Sequence, residues 1–167
     1  MVLGMSLSAF TQLHVVLSLV GIVAGVVVAA AMLGSRDLPR WTAIFLATTI
    51  LTSVTGYFFP VDKILPSHIV GGLSLVVLAI ALIARYGCHL RGAWRWIYVV
   101  SALAAFWFNV FVGVVQAFAK MAFLHSLAPQ QSDPPFIVAQ TIVLVLFIVV
   151  GVLAVRSFHP GTDAPAR

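Results

Sequence analysis

Charged residues are scarce in this chain of 167 residues. Only 8% of the residues are Asp, Glu, Lys or Arg, whereas 62% are hydrophobic. A soluble domain of this length could not hide so much apolar surface, because a large part of any folded surface stays in contact with water. The shortage of charge therefore disfavours a soluble domain and indicates a protein that places its apolar side chains in a lipid bilayer.

Several motifs with known chemistry are also absent. The chain has one cysteine, which excludes an intrachain disulfide, and it has no Cys-x-x-Cys, no His-Glu-x-x-His and no phosphate-binding loop. All of its carboxylates fall in predicted loops or in the tail, at Asp37, Asp62, Asp133 and Asp163. The sequence therefore disfavours a hydrolase with paired carboxylates and a proton-driven transporter with a buried acid.

In place of these features, the chain has five apolar runs of membrane-spanning length. A spanning helix needs about 20 apolar residues, because the hydrocarbon core is roughly 30 Å thick and a helix rises about 1.5 Å per residue. The runs predict an all-α, polytopic transmembrane bundle with helices near 11–34, 41–59, 67–86, 96–120 and 135–157. We expect a single helical domain over 1–159, followed by a short cytoplasmic tail at 160–167.

The basic residues are distributed unevenly between the two sides of this predicted bundle. With five crossings, seven arginines lie on one side, and only Lys63 and Lys120 lie on the other. Because cytoplasmic loops carry the excess of Lys and Arg, we expect a multi-pass membrane protein with its N-terminus outside and its C-terminus in the cytoplasm. The net charge of +5 follows from this bias and gives no support to nucleic-acid binding.

Strongly polar side chains gather near the predicted outer face, whereas the cytoplasmic half is almost purely apolar. Ionisable groups in spanning segments are costly and usually face the interior of the bundle, which makes them candidates for function. The residues that we assign to this polar layer, and to a binding site for a cofactor, are His14, His68, Gln116, Lys120 and Gln140.

The histidine pair His14 and His68 leads to three alternative ligands. Two imidazoles from facing helices can ligate the iron of haem b axially. Glycines that leave room for a porphyrin are Gly56, Gly71 and Gly72, and cations that reach its propionates are Lys63 and Lys120. The same histidines, with Gln116 or Gln140, could instead hold a quinone headgroup or a copper or zinc ion. The alternative without a ligand is that each histidine is an interfacial residue whose ring reaches water.

Three segments carry a resemblance to other proteins. They read TQLH at 11–14, GYFFP at 56–60 with PSH at 66–68, and LAPQQSDPPF at 127–136. With these segments the chain resembles small polytopic bacterial membrane proteins that have no assigned function. The resemblance implies a bacterial inner membrane and supplies no site residues.

These observations lead to two functional hypotheses. The first is a small redox-associated membrane protein that holds a haem, quinone or metal in the outer polar layer. The second is a non-enzymatic accessory or scaffold subunit, whose polar layer only locks the helices together. The expected partners are the lipid bilayer and, for a subunit, other membrane proteins or a second copy of the chain.

Overall fold

The computed structural model describes residue 2 and residues 4–60 and 66–160. All regular elements in this part of the chain are helical, namely α1 (Leu7–Leu33), α2 (Pro39–Gly56), α3 (Pro66–Leu82), a π-helical turn (Ile83–Gly87), α4 (Trp94–Lys120), α5 (Ala122–Leu127) and α6 (Pro134–Ser157). The all-α prediction is therefore confirmed. Lys63 and the tail residues 161–167 lie outside the described residues.

Four of these helices are long and apolar enough to cross a membrane: α1, α3 with its π-helical turn, α4 and α6. The fifth predicted span corresponds to α2, which has 18 residues and includes Arg40. It is less apolar because it carries six hydroxyl side chains, at Thr42, Thr48, Thr49, Thr52, Ser53 and Thr55. Two of these hydroxyls, those of Thr48 and Thr55, donate at 2.7 Å to the carbonyl one turn earlier in the helix.

The helix ends follow local capping chemistry. The first helix begins at Leu7 rather than near residue 11, because the Ser6 hydroxyl accepts a hydrogen bond from the Ala9 N–H at 3.2 Å and caps the helix. The last helix begins at Pro134, close to its predicted start, since proline is tolerated in a first turn that lacks N–H partners. The segment after Lys120 forms the separate short helix α5.

The helices α1, α2, α3 and α4 pack as a ring of neighbours, and α6 lies against α4 and α1. One end of this bundle, which we call the arginine end, gathers the last turns of α1, α3 and α6 with the first turns of α2 and α4. Hydrogen bonds join these parts: the Ser157 hydroxyl donates to the Met32 carbonyl at 3.1 Å, and the His159 N–H donates to the Ser35 hydroxyl at 3.0 Å. The opposite end is called the histidine end.

The hydrophobic core lies in the half of the bundle next to the arginine end. Its buried residues come from the second half of α1, the first half of α2, the end of α3, the first half of α4 and the end of α6, and include Ala24, Met32, Phe45, Leu78, Ala81, Tyr98, Ala105, Phe106, Ala154 and Phe158. In the histidine half, the buried apolar residues of the described chain are Phe10, Ala128 and Phe136. The bundle is therefore tightly packed at one end and loosely packed at the other.

A buried ion pair closes the arginine end. The guanidinium of Arg85, on the π-helical turn, donates to the Asp37 carboxylate at 2.8 Å, and the Arg85 side chain is only 7% exposed. Its charge also lies 5.4 Å from the ring centre of Tyr98, within cation–π range. The expectation that this half is almost purely apolar is wrong here, because the fold joins two residues that lie 48 positions apart in the sequence.

Candidate functional site at the histidine end

His14 lies two turns into α1 and contacts the last turn of α2. Its Nδ1 is 2.8 Å from the Thr55 hydroxyl oxygen. The Thr55 hydroxyl itself donates to the Leu51 carbonyl at 2.7 Å, so its oxygen is the acceptor for the His14 Nδ1–H. We infer that the neutral imidazole carries its proton on Nδ1 and presents the lone pair of Nε2. No residue in the described part of the chain is hydrogen-bonded to Nε2.

Aromatic side chains flank this imidazole. The Phe59 ring stands perpendicular to the His14 ring, with the ring centres 5.2 Å apart, and Phe10 packs on Phe59 at 5.1 Å. Gly56 lies beside the imidazole, where an added Cβ would sit 3.8 Å from His14 Cε1. His14 itself is partly exposed. The arrangement offers one hydrogen-bond acceptor at the edge of an apolar, aromatic surface.

His68 has a different neighbour. The Tyr57 hydroxyl donates to the His68 carbonyl at 2.6 Å, and the two rings lie 5.4 Å apart. The Tyr57 ring also covers the glycine pair of α3, since a Cβ added at Gly72 would lie 3.1 Å from the Tyr57 hydroxyl and one at Gly71 would lie 3.4 Å from its ring. The space beside these glycines, which the sequence suggested for a porphyrin, is therefore occupied by Tyr57. His14 and His68 make no hydrogen bond or ring contact with each other.

The other three predicted site residues are separated. Lys120 is exposed at the end of α4. Gln116 is exposed one turn earlier. Gln140 lies between α6 and α4, where its amide donates to the Phe111 carbonyl at 3.1 Å and its own amide oxygen is buried without a partner among the described residues. The structure thus places Lys120 at the same end of the bundle as His14, and it gives Gln140 a role between helices.

A second polar group lies deeper, where α1, α2 and α4 meet. The buried Asn109 amide accepts from the Ser18 hydroxyl at 2.8 Å and donates to the Ser18 carbonyl at 3.3 Å. A Cβ added at Gly21 would lie 3.0 Å from the Asn109 nitrogen and 3.2 Å from the hydroxyls of Thr48 and Thr49. These groups leave no free space beside Gly21, so they join helices rather than form a ligand site.

The residues that sequence reasoning missed are mainly aromatic. Phe10 and His14 are four positions apart on one face of α1, which is a signal that could have been read from the sequence. The contact of Tyr57 with Gly71 and Gly72 could not, because it depends on how α2 and α3 are rotated. Within the described ranges, no group of three or more His, Cys, Asp or Glu side chains could hold a metal ion.

Comparisons of the chain with known protein families, with curated proteins and with solved structures found no match. The fold alone defines the class, which is an all-α bundle containing four helices long and apolar enough to cross a membrane. The candidate site within this class is a single imidazole at the loosely packed end.

Proposed function

We propose that the chain is a multi-pass protein of the bacterial inner membrane, with five crossing helices. The position of α2 supports the fifth crossing, because this helix reaches from one end of the bundle to the other. Its last turn contacts His14 at the histidine end, whereas Asp37, just before its first turn, pairs with Arg85 at the arginine end. Because α2 runs antiparallel beside α1 over this length, it crosses the bilayer over the same depth as α1.

The proposed orientation has the N-terminus outside and the C-terminus in the cytoplasm. It is supported by the basic residues, since the arginines of the described chain belong to the arginine end and Lys120 belongs to the histidine end. The excess of basic residues marks the cytoplasmic side of a membrane protein. The histidine end then faces the outer leaflet.

The function that the geometry supports best is the binding of a quinol headgroup at His14. The observation that carries this proposal is the Thr55 contact, which uses Nδ1 of His14 and leaves the Nε2 lone pair as a hydrogen-bond acceptor. A quinol hydroxyl is a donor that matches this acceptor, and the flat quinol ring suits the partly exposed Phe59 ring beside His14. Quinols dissolve in the bilayer, so they can approach a partly exposed site from the side.

The other two ligands considered for this layer fit less well. Axial ligation of haem b needs two imidazoles around one cavity, whereas His14 and His68 contact different residues and Tyr57 fills the space beside Gly71 and Gly72. A copper or zinc site needs three or four ligands, and His14 has no second ligating side chain in contact with it among the described residues.

The test is to purify the protein under reducing conditions, extract it, and measure the bound quinol by the ultraviolet spectrum of the quinone that forms when the extract is oxidised, with a reduced-minus-oxidised visible spectrum of the same protein. We expect a quinone in the native protein, its loss in His14→Ala, and its retention in His125→Ala, which removes an exposed histidine at the same end. A Soret band with a sharp α-band would contradict the proposal in favour of haem. A quinone that stays bound in His14→Ala would also contradict it.

The second candidate function is that of a non-enzymatic accessory subunit, and the exposure of α6 favours it. In the most apolar stretch of α6 only 6% of the residues are buried, compared with 44% in α4. An apolar helix so little covered by its own bundle can pack against lipid or against another membrane protein. A purified protein that carries no quinone but retains a stoichiometric partner, or pairs with a second copy, would support this candidate, and a monomer that carries a quinone would contradict it.

A further inference from the structure

Four arginines form an exposed rim around the arginine end. We call Arg36, Arg40, Arg91 and Arg156 the arginine rim; they belong to the α1–α2 connection, the first turn of α2, the α3–α4 connection and the last turn of α6. All four are exposed, and none of their guanidinium groups is hydrogen-bonded or ion-paired to another residue in the described ranges. The rim therefore presents four guanidinium groups whose donors have no partner among the described residues.

Among the described residues, the internal bonds of the arginine end leave this rim without a neutralising acid. Asp37 is the acidic residue of this end within the described ranges, and its carboxylate is bound by the buried Arg85. Asp133 lies at the opposite end, where it precedes α6. The remaining arginine of the described ranges, Arg95, donates to the Val155 and Phe158 carbonyls and so closes the end of α6. The positive charge of the rim is thus not cancelled within the described chain.

Tryptophans surround the same end. Trp41, Trp94 and Trp96 are 41%, 38% and 46% exposed, and they are three of the four tryptophans in the chain. Exposed tryptophan side chains concentrate at the level of the lipid headgroups, because the indole is apolar with one polar N–H. The arginine rim, which lies on the same turns and loops, is then within reach of lipid phosphates.

We propose that the arginine rim binds the headgroups of acidic phospholipids. A guanidinium pairs with a phosphate through two parallel hydrogen bonds, and its charge favours a lipid that carries net negative charge over a zwitterionic one. Each basic side chain near an acidic membrane surface adds about 1 kcal/mol, or roughly a fivefold preference. The partner is therefore a ring of acidic lipids around one end of the bundle. This proposal does not depend on quinol binding at the other end.

The position of the tryptophans makes a local measurement feasible. The purified full chain is reconstituted into nanodiscs of phosphatidylcholine that contain a minor fraction of brominated lipid, either phosphatidylglycerol or phosphatidylcholine. Bromine quenches tryptophan emission only at short range, so quenching reports which lipid adjoins the rim. At low salt we expect brominated phosphatidylglycerol to quench several-fold more strongly than an equal fraction of brominated phosphatidylcholine. The excess should decline as salt is added, because exposed charges are screened.

Variants test whether the rim arginines, rather than another part of the chain, cause the excess quenching. Replacing all four rim arginines by glutamine should remove the excess quenching, whereas Lys120→Gln, at the opposite end, should leave it intact. Equal quenching of the native protein by the two brominated lipids would overturn the proposal and would leave an acidic protein surface as the rival occupant of the rim. An excess that persists at high salt, or without the rim arginines, would overturn it as well. The salt series uses only the native protein, so it tests the proposal even if the glutamine variant folds poorly.

Discussion

The two halves of this bundle are built from the same helices but packed differently. In the arginine half, small side chains such as Ala81, Ala102 and Ala105 allow close approach, and large ones such as Phe106 fill the remaining space. In the histidine half, the residues of α1, α3 and α4 are mostly exposed or only partly buried. Because core packing supplies most of the stability of a fold, the arginine half should unfold last and the histidine half should adapt more easily.

The two ends also use their polar groups differently. At the arginine end, charged side chains hold the fold together: Arg85 binds Asp37, and Arg95 binds the carbonyls that end α6. At the histidine end, His14 is held by one bond and keeps a free acceptor. The comparison teaches that a polar residue in an apolar bundle indicates function only after its partners are known. The following predictions test this difference, from the largest expected effect on stability to the smallest.

Arg85→Ala should cause the largest loss of stability. It removes the partner of Asp37 and the packing on Tyr98, and breaking a buried pair in this way costs about 2–4 kcal/mol when one partner keeps some contact with water. The free energy of unfolding, measured by denaturant titration in detergent, should fall by this amount. Arg91→Ala, which removes an exposed rim arginine, is the control and should unfold like the native protein. Equal stability of the two variants would contradict the assigned role of Arg85.

Gly25→Ala should have the next largest effect. An added Cβ at Gly25 would lie 2.6 Å from the Phe106 ring, which cannot rotate away within the core. Overpacking of this kind costs about 1–3 kcal/mol. Gly113→Ala is the matched control in the histidine half, because its Cβ would meet Ile22 at an ordinary 3.6 Å. A control variant that destabilises as much as Gly25→Ala would show that the two halves are equally tight.

Asn109→Leu should have a smaller effect. It removes both hydrogen bonds between α4 and Ser18, and bonds of this kind between membrane helices contribute about 1 kcal/mol together. Combining it with Ser18→Ala gives a double-mutant cycle. We expect the double variant to be less destabilised than the sum of the single variants, since both single variants remove the bond from the Ser18 hydroxyl to Asn109. Additive losses would mean that Asn109 and Ser18 do not interact.

His14→Ala should have the smallest effect on stability. It breaks one bond to Thr55 in a loosely packed region, which corresponds to less than about 1 kcal/mol. Its effect on quinone content should be large, however. Thr55→Val should also lower the quinone content because it frees the imidazole from its fixed orientation, and Thr55→Ser should restore it. If Thr55→Val and Thr55→Ser retain equal amounts of quinone, Thr55 does not position His14.

Much of the fold could be predicted because it depends on local features of the chain. The helix over residues 135–157 is observed at Pro134–Ser157, since its apolar run and its prolines mark both ends. The early start of α1 at Leu7 was missed because the cap at Ser6 precedes the apolar run. Among the predicted site residues, the placement of His14 and Lys120 at one end of the bundle is as expected, whereas Gln140 bonds to α4, which depends on how α6 is rotated.

The sequence by itself determined that the chain forms long apolar helices, roughly where most of them begin and end, and at which end the arginines lie, because hydropathy, proline and charge act within one segment or across a short loop. Only the tertiary structure decided that Tyr57 fills the glycine surface of α3, that Arg85 is buried against Asp37, and that the core lies in one half of the bundle. These features depend on the rotation of each helix about its axis and on which neighbours it meets. Many weak contacts between distant residues set that rotation, and no single segment of the sequence contains them.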